Sequence, residues 1–216
     1  MHDQTKLVVV DYGVGNVRSV ASMLLHLGYR ASVTSNPELV ASADRIFLPG
    51  VGAWDSAVRN LGSTGLVEAL EVAVMRRAVP TLGLCLGMQL LFESGAEGVL
   101  PGLGFLPGSV ERIDDKPGLR IPHMGWNDVA ITQDHAIWDR RHQDLEYCDL
   151  EITSQFYFVH SFHAACGEEL VLGTTVHGAE FPSVVGRDNI VGAQFHPEKS
   201  HRYGMRFFAN FMEFRP

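Results

Sequence analysis

Val79-Pro80-Thr81-Leu82-Gly83-Leu84-Cys85-Leu86-Gly87-Met88-Gln89-Leu90-Leu91 is the stretch on which the reading of the chain turns. The apolar run Thr81 to Leu84 reads as a strand buried on both faces. Leu86 to Phe92 reads as the start of a helix. Cys85 falls at the joint, flanked by Gly83 and Gly87 at i−2 and i+2. Gly-x-Cys-x-Gly is the nucleophile-elbow pattern with cysteine in place of serine. A sharp strand-to-helix turn leaves no room for a Cβ on either side, and glycine tolerates the strained dihedrals. The first amides of the helix then face the sulfur and favour the thiolate. A lone cysteine is most often a small buried hydrophobe. The pattern therefore gains weight only if a base stands elsewhere in the chain.

Val191-Gly192-Ala193-Gln194-Phe195-His196-Pro197-Glu198 supplies that base. Ile190 to Phe195 reads as a buried strand that runs into His196. In an extended chain residues i and i+2 face one side. Glu198 can thus hold the His196 imidazole, and Pro197 forbids helix between them. A cysteine, a histidine to take its proton and a carboxylate to orient the histidine form an activated nucleophile.

The rest of the chain reads as βα units followed by a turn-rich segment. Leu7 to Val10 is a β-branched run closed by Asp11-Tyr12-Gly13-Val14-Gly15-Asn16, and a helix pattern follows from Val17 to Leu27. The third glycine of a dinucleotide fingerprint is missing, with Arg18 in its place. The loop reads instead as a tight βα turn at the carboxyl edge of a sheet. Ala31 to Thr34 and Arg45 to Leu48 are further strands, with a short helix from Asn36-Pro37-Glu38 between them. Pro49-Gly50-Val51-Gly52-Ala53-Trp54 reads as a turn with exposed amides. Thr64-Gly65-Leu66 leads into a helix through Met75. The order predicts a parallel sheet with right-handed crossovers.

Gly95 to Pro122 is rich in glycine and proline and reads as short antiparallel strands and turns. Phe156 to Phe162 is an aromatic strand. Val171 to Thr175 and Ser183 to Arg187 are further strands, and Tyr203 to Phe214 is an amphipathic closing helix. No internal repeat or low-complexity tract interrupts the chain, so residues 1–216 read as a single α/β domain.

Composition bounds the function. The chain has 216 residues, 46% of them apolar, and a net charge of −8. That balance argues against nucleic-acid backbones and anionic membrane surfaces. The cysteines Cys85, Cys148 and Cys166 are widely spaced with no Cys-x-x-Cys, which points away from a disulfide framework and toward a reducing cytoplasm. The polar start, Met1 to Lys6, and the short apolar run ending at Asp11 read as neither signal peptide nor membrane span. His160 and His163 stand three apart, which places them on opposite faces of a strand. His2, His135, His142 and His177 are scattered. The expectation is no metal site.

These residues together resemble the class I (triad) glutamine amidotransferases, through Gly83-Leu84-Cys85-Leu86-Gly87-Met88-Gln89 and His196-Pro197-Glu198. Asp11 to Asn16, Leu48 to Ala53, Pro122-His123-Met124-Gly125-Trp126-Asn127 and Tyr157 to Phe162 narrow the resemblance to the glutaminase subunits of imidazole glycerol phosphate synthase. The match runs from about Leu7 to Phe211.

The resemblance implies the amidotransferase fold: a central, mostly parallel sheet flanked by helices, with a small antiparallel extension. It implies that Cys85 attacks glutamine, His196 moves the proton and Glu198 orients His196. The Leu86 amide and an amide of the Gly50-Val51-Gly52 turn, at Gly52, would hold the oxyanion. Gln89, Ser161 and Phe162 would hold the substrate. Asn16 and Trp126 would lie at an interface with a (β/α)8-barrel cyclase subunit, which receives the ammonia and makes imidazole glycerol phosphate and AICAR. No cofactor is implied. Two departures stand out. Phe162 occupies a place where the family often has tyrosine. Glu198-Lys199-Ser200-His201 resembles paralogues that supply ammonia for amidation of surface sugars, which is the alternative assignment.

Overall fold

The computed structural model describes residues 5–138 and 154–216. In chain order the strands are β1 (Leu7–Val10), β2 (Ser32–Thr34), β3 (Arg45–Gly50), β4 (Thr81–Cys85), β5 (Ser94–Gly95) and β6 (Ser109–Arg112). They continue as β7 (His123–Ile131), β8 (Ser154–His160), β9 (Phe162–Ala165), β10 (Val171–His177), β11 (Ala179–Arg187) and β12 (Ile190–Ala193). The helices are α1 (Val17–His26), α2 (Pro37–Ala41), α3 (Trp54–Ser63), α4 (Leu66–Leu70), α5 (Leu86–Gln89) and α6 (His201–Glu213).

The main sheet runs β2-β1-β3-β4-β12-β11-β10-β7-β8. From β2 to β12 every neighbouring pair is parallel. From β12 outward every pair is antiparallel. A second sheet, β5-β6-β9, packs beside it. This is the expected parallel sheet with helices, and its antiparallel extension continues the same sheet.

The strand alternation divides the core in two. Val8, Val10, Ile46 and Leu48 join one cluster with Trp54, Leu61 and Leu66 from α3 and α4. Leu7, Val9 and Phe47 turn the other way, onto Val20 and Leu24 of α1 and Phe207, Phe208 and Phe211 of α6. Successive side chains of a strand face opposite sides, so a sheet covered on both faces needs apolar residues at every position. Phe47 meets the rings of Phe208 and Phe211 edge-on, each at 5.0 Å. Beside them Arg45, buried in β3, donates to the carbonyls of Phe211 and Phe214. It thereby satisfies the end of α6, whose last carbonyls have no partner within the helix.

Some elements differ from expectation. Trp54–Ser63 is a helix where the sequence suggested only a turn. Its buried residues are Trp54, Ala57 and Leu61, a stripe too thin to stand out from a polar background. The expected helix through Met75 is α4 continued by a wider π-helical stretch, Glu71–Arg76. The aromatic strand stops at His160, and Phe162 opens β9 in the other sheet. His160 and His163 are therefore separated by a chain bend rather than by the two faces of one strand. Cys148, His2 and His142 lie outside the described residues.

Candidate active site

The parallel strands all end along one edge of the sheet. Asn16 follows β1, Gly50 ends β3 with Val51 and Gly52 after it, Cys85 ends β4 and His196 follows β12. β4 lies between β3 and β12, with Gly50 paired to Cys85 and Ala193 to Leu84. The register thus delivers the sulfur between the glycine turn on one side and the histidine on the other.

Cys85 has φ 52 and ψ −112. A non-glycine residue there is strained, and surrounding structure must hold it in place. The flanking glycines show how. A Cβ on Gly83 would come within 2.8 Å of the Gly87 carbonyl oxygen and of Met88 Cα. A Cβ on Gly87 would collide with the Leu48 carbonyl. The elbow is pressed against its own strand and its neighbour, and only glycine fits either side. One expectation needs correction. The helix after Cys85 is only four residues long, Leu86–Gln89. Such a helix has too few aligned peptides for a substantial dipole, so stabilisation of a thiolate falls to individual donors.

His196 and Glu198 meet as expected. His196 Nδ1 donates to Glu198 Oε1 at 2.9 Å, and both side chains are buried. Nε2 of His196 is buried without a hydrogen-bond partner, as is Oε2 of Glu198. The His196 pKa is raised to about 10. Burial by itself pushes it down, but hydrogen bonding and charge at Cys85 and Glu198 outweigh that. Cys85 thus bears on the ring's titration even though Nε2 completes no hydrogen bond at rest. With its pKa so raised, the imidazole is able to hold a proton given up by the sulfur. Gly204 seats α6 against this turn, since a Cβ there would strike the Pro197 carbonyl.

Gly52 has φ +103 and no atom within 4 Å of where a Cβ would stand. A side chain there would have room, but the backbone needs glycine's dihedrals. Behind it the Tyr12 hydroxyl is buried without a partner and presses on Gly50. Burial, reinforced by Cys85, drives the phenol pKa up, so Tyr12 stays neutral.

A hydrogen-bond chain runs through the site. Gln89 Nε2 donates to the Phe162 carbonyl and to Gln194 Oε1, each at 3.0 Å. Gln194 Nε2 donates to Cys85 Sγ at 3.7 Å. On its far side the Phe162 carbonyl accepts from His160 Nδ1 at 2.8 Å. His160 Nε2 in turn meets His123 Nδ1 at 2.9 Å, and His123 Nε2 meets Asn127 Nδ2 at 3.1 Å. Burial lowers the pKa of His123 to about 4 and that of His160 to about 3, with neighbouring histidines adding to it. Both rings are neutral at ordinary pH, and the carbonyl at one end dictates their tautomers. Ser161 lies in the bend before Phe162, and its carbonyl accepts from the Ile113 amide at 2.9 Å.

The far strand β8 closes over the site. The His196 amide donates to the Tyr157 carbonyl at 2.9 Å, and the Tyr157 amide to Ser200 Oγ at 3.0 Å. The Val159 carbonyl lies 4.0 Å from Cys85 Sγ. Asn16 Oδ1 accepts from the Ser19 hydroxyl at 2.7 Å, away from the sulfur's contacts. Trp126 stands 46% exposed, stacked on His201 at 5.5 Å. Among the described residues no group of three or more His, Cys, Asp and Glu could hold a metal. Nor is any helix among them long and apolar enough to cross a membrane.

An elbow cysteine on a parallel sheet, with a histidine–carboxylate pair just after the next strand, is the arrangement of cysteine-triad hydrolases and transferases. The family model for glutamine amidotransferase class-I matches residues 8–214. The imidazole glycerol phosphate synthase subunit HisH 2 of Methanococcus maripaludis is 41% identical, over 96% of this chain and 98% of that protein. The subunit HisH of Caulobacter vibrioides is also 41% identical, over 97% of this chain and 99% of its own length. A solved structure described as a glutamine amidotransferase superposes with a TM-score of 0.72 at 21% identity, covering 96% of this chain and 97% of that one. The chain belongs to the class I glutamine amidotransferases and, within them, to the family of the HisH subunits.

Proposed function

We propose that this chain is a cytoplasmic glutaminase that hydrolyses glutamine to glutamate and ammonia and delivers the ammonia to a cyclase partner. The observation that carries the reading is the meeting of strained Cys85 with the buried His196–Glu198 pair. The Cys85 sulfur, its proton already passed to His196 Nε2, attacks the carboxamide carbon as the thiolate. The oxyanion that forms is held by the Leu86 amide and an amide of the turn at Gly52. The C–N bond breaks as His196 returns the proton to the leaving ammonia, which leaves a glutamyl thioester. Water, deprotonated by the same ring, then releases glutamate and frees Cys85. Glu198 keeps the ring aligned. Gln89, with the backbone at Ser161 and Phe162, holds the glutamine.

The partner in this reading is a (β/α)8-barrel subunit that uses ammonia to form imidazole glycerol phosphate and AICAR, in a heterodimer. Support comes from the relatives' names and from the exposed Met124, Trp126 and Val51, apolar side chains of the kind that mark a docking face. A second reading has a specific observation in its favour. His201, at φ 46, lies flat on Trp126. That pairing changes the surface a partner would meet, and His201 belongs to the Glu198-Lys199-Ser200-His201 stretch that resembles the sugar-amidation paralogues.

The test is glutamate release by the protein alone, with the cyclase barrel, and with the barrel plus its nucleotide-derived acceptor. A large rise with the loaded barrel is expected. Failure to rise, with Cys85 reactive, would move the partner to the sugar-amidating enzyme. Cys85→Ala should lose at least about 10⁴-fold in turnover and keep partner binding. Retained turnover would sink the reading.

A further inference from the structure

We propose that Gln194 is a further catalytic residue, whose side-chain N–H donates to the Cys85 sulfur and stabilises it as the thiolate. The inference rests on the reading of Cys85 as the nucleophile. Gln194 is wholly buried, and its Nε2 lies 3.7 Å from Sγ.

An amide can be turned end for end, so its orientation needs a reason. Here the reason is the Phe162 carbonyl, which can only accept. The Gln89 atom 3.0 Å from it must therefore be nitrogen. That same nitrogen lies 3.0 Å from one atom of the Gln194 amide, which must be the oxygen. The remaining atom of Gln194, the one that faces sulfur, is nitrogen. Turned the other way, an oxygen would face the sulfur and repel its charge.

The surroundings favour an accepting sulfur. As a thiol, Cys85 has the Val159 carbonyl as an acceptor, at 4.0 Å. That is the limit of sulfur hydrogen bonding. As a thiolate it accepts from the nearer Gln194. The short helix after Cys85 offers little dipole, so a fixed donor in a water-poor pocket carries more of the stabilisation. A neutral amide also holds the anion without competing with His196 for the proton.

The test is peptide-resolved alkylation of Cys85 by iodoacetamide against pH, in the parent protein and in Gln194→Met and Gln194→Glu. The Glu variant keeps an oxygen to accept from Gln89 and loses the N–H to sulfur. Alkylation near neutral pH should slow about tenfold in Gln194→Met and further in Gln194→Glu. In the Glu variant kcat should fall while KM for glutamine holds, a split that a purely structural role would not give. In the parent protein the Gln194 side-chain NH₂ resonance should shift as Cys85 titrates. Unchanged alkylation in folded variants, or an unmoved resonance, overturns the proposal. If parent Cys85 reacts no faster than Cys166, the nucleophile reading itself has failed.

Discussion

Nδ1 of His196 lies 2.9 Å from Oε1 of Glu198, with the two side chains only 3% and 2% exposed. A charged pair so enclosed is strong only while both partners are present, because removal of one leaves the other buried and unpaired. This relationship sets the first expected outcome. Glu198→Gln should lower kcat roughly tenfold to a hundredfold, and His196→Ala at least about a thousandfold. Orientation contributes less than proton transfer. A greater loss for Glu198→Gln would mean its role is misassigned.

The same pair shapes stability against pH. The His196 pKa stands near 10 against an ordinary 6.5. A folded-state value above the unfolded one stabilises fully below 6.5 and is lost as pH climbs toward 10. The urea midpoint should therefore fall between about pH 7 and about pH 9.5. In Glu198→Gln, which removes one of the forces raising the pKa, the fall should be smaller. Equal slopes would show that the imidazole is not held protonated.

Two glycines should fail for different reasons. Gly87→Ala drives a Cβ into the Leu48 carbonyl, and backbone cannot yield as a side chain can, so about 3 kcal/mol of stability should go. Gly52→Ala meets no atom within 4 Å. It should cost only about 1–2 kcal/mol of backbone strain yet reduce kcat disproportionately, because the turn can no longer present its amide. Urea unfolding beside steady-state kinetics separates the two.

Arg45→Met removes the donors to the Phe211 and Phe214 carbonyls. About 2–3 kcal/mol should be lost, as the Phe214 carbonyl loses this donor and the Phe211 carbonyl keeps only the Phe214 amide at 3.2 Å. Kinetic constants should not move, since Arg45 holds the C-terminal end of α6, whereas the His196–Glu198 turn meets its N-terminal part at Gly204. A change in kcat would show that the end of α6 reaches the site.

Trp126→Ala should weaken the cyclase complex about tenfold or more, as expected for an exposed aromatic anchor. Glutaminase activity of the isolated chain should stay within about twofold, which leaves the interface as the cause. Calorimetric titration with the barrel subunit reads this directly. Unchanged affinity would remove Trp126 from the interface.

Much of the site was legible because its signals are local. Gly83, Cys85 and Gly87 mark a bend that few residues can make. His196-Pro197-Glu198 marks an extended turn that sets two side chains together. Helix α3 was missed because its buried stripe is sparse. The break at Ser161 was missed because an aromatic run reads as one strand whichever sheet each half joins. Gln194 carried no local signal. Its contact with the sulfur follows only from residues far along the chain.

The sequence by itself determined the parallel half of the sheet, the elbow at Cys85 and the pairing of His196 with Glu198. Those depend on short-range dihedral and packing rules that residue types express directly. Tertiary structure decided which strands stand beside β4, how β8 closes over the sulfur and which end of Gln194 faces it. The Phe162 carbonyl that orients this amide lies 73 residues from Gln89, and Gln194 lies 109 from Cys85. No local pattern encodes such pairings. They follow from sheet register and from the requirement that every buried donor find an acceptor.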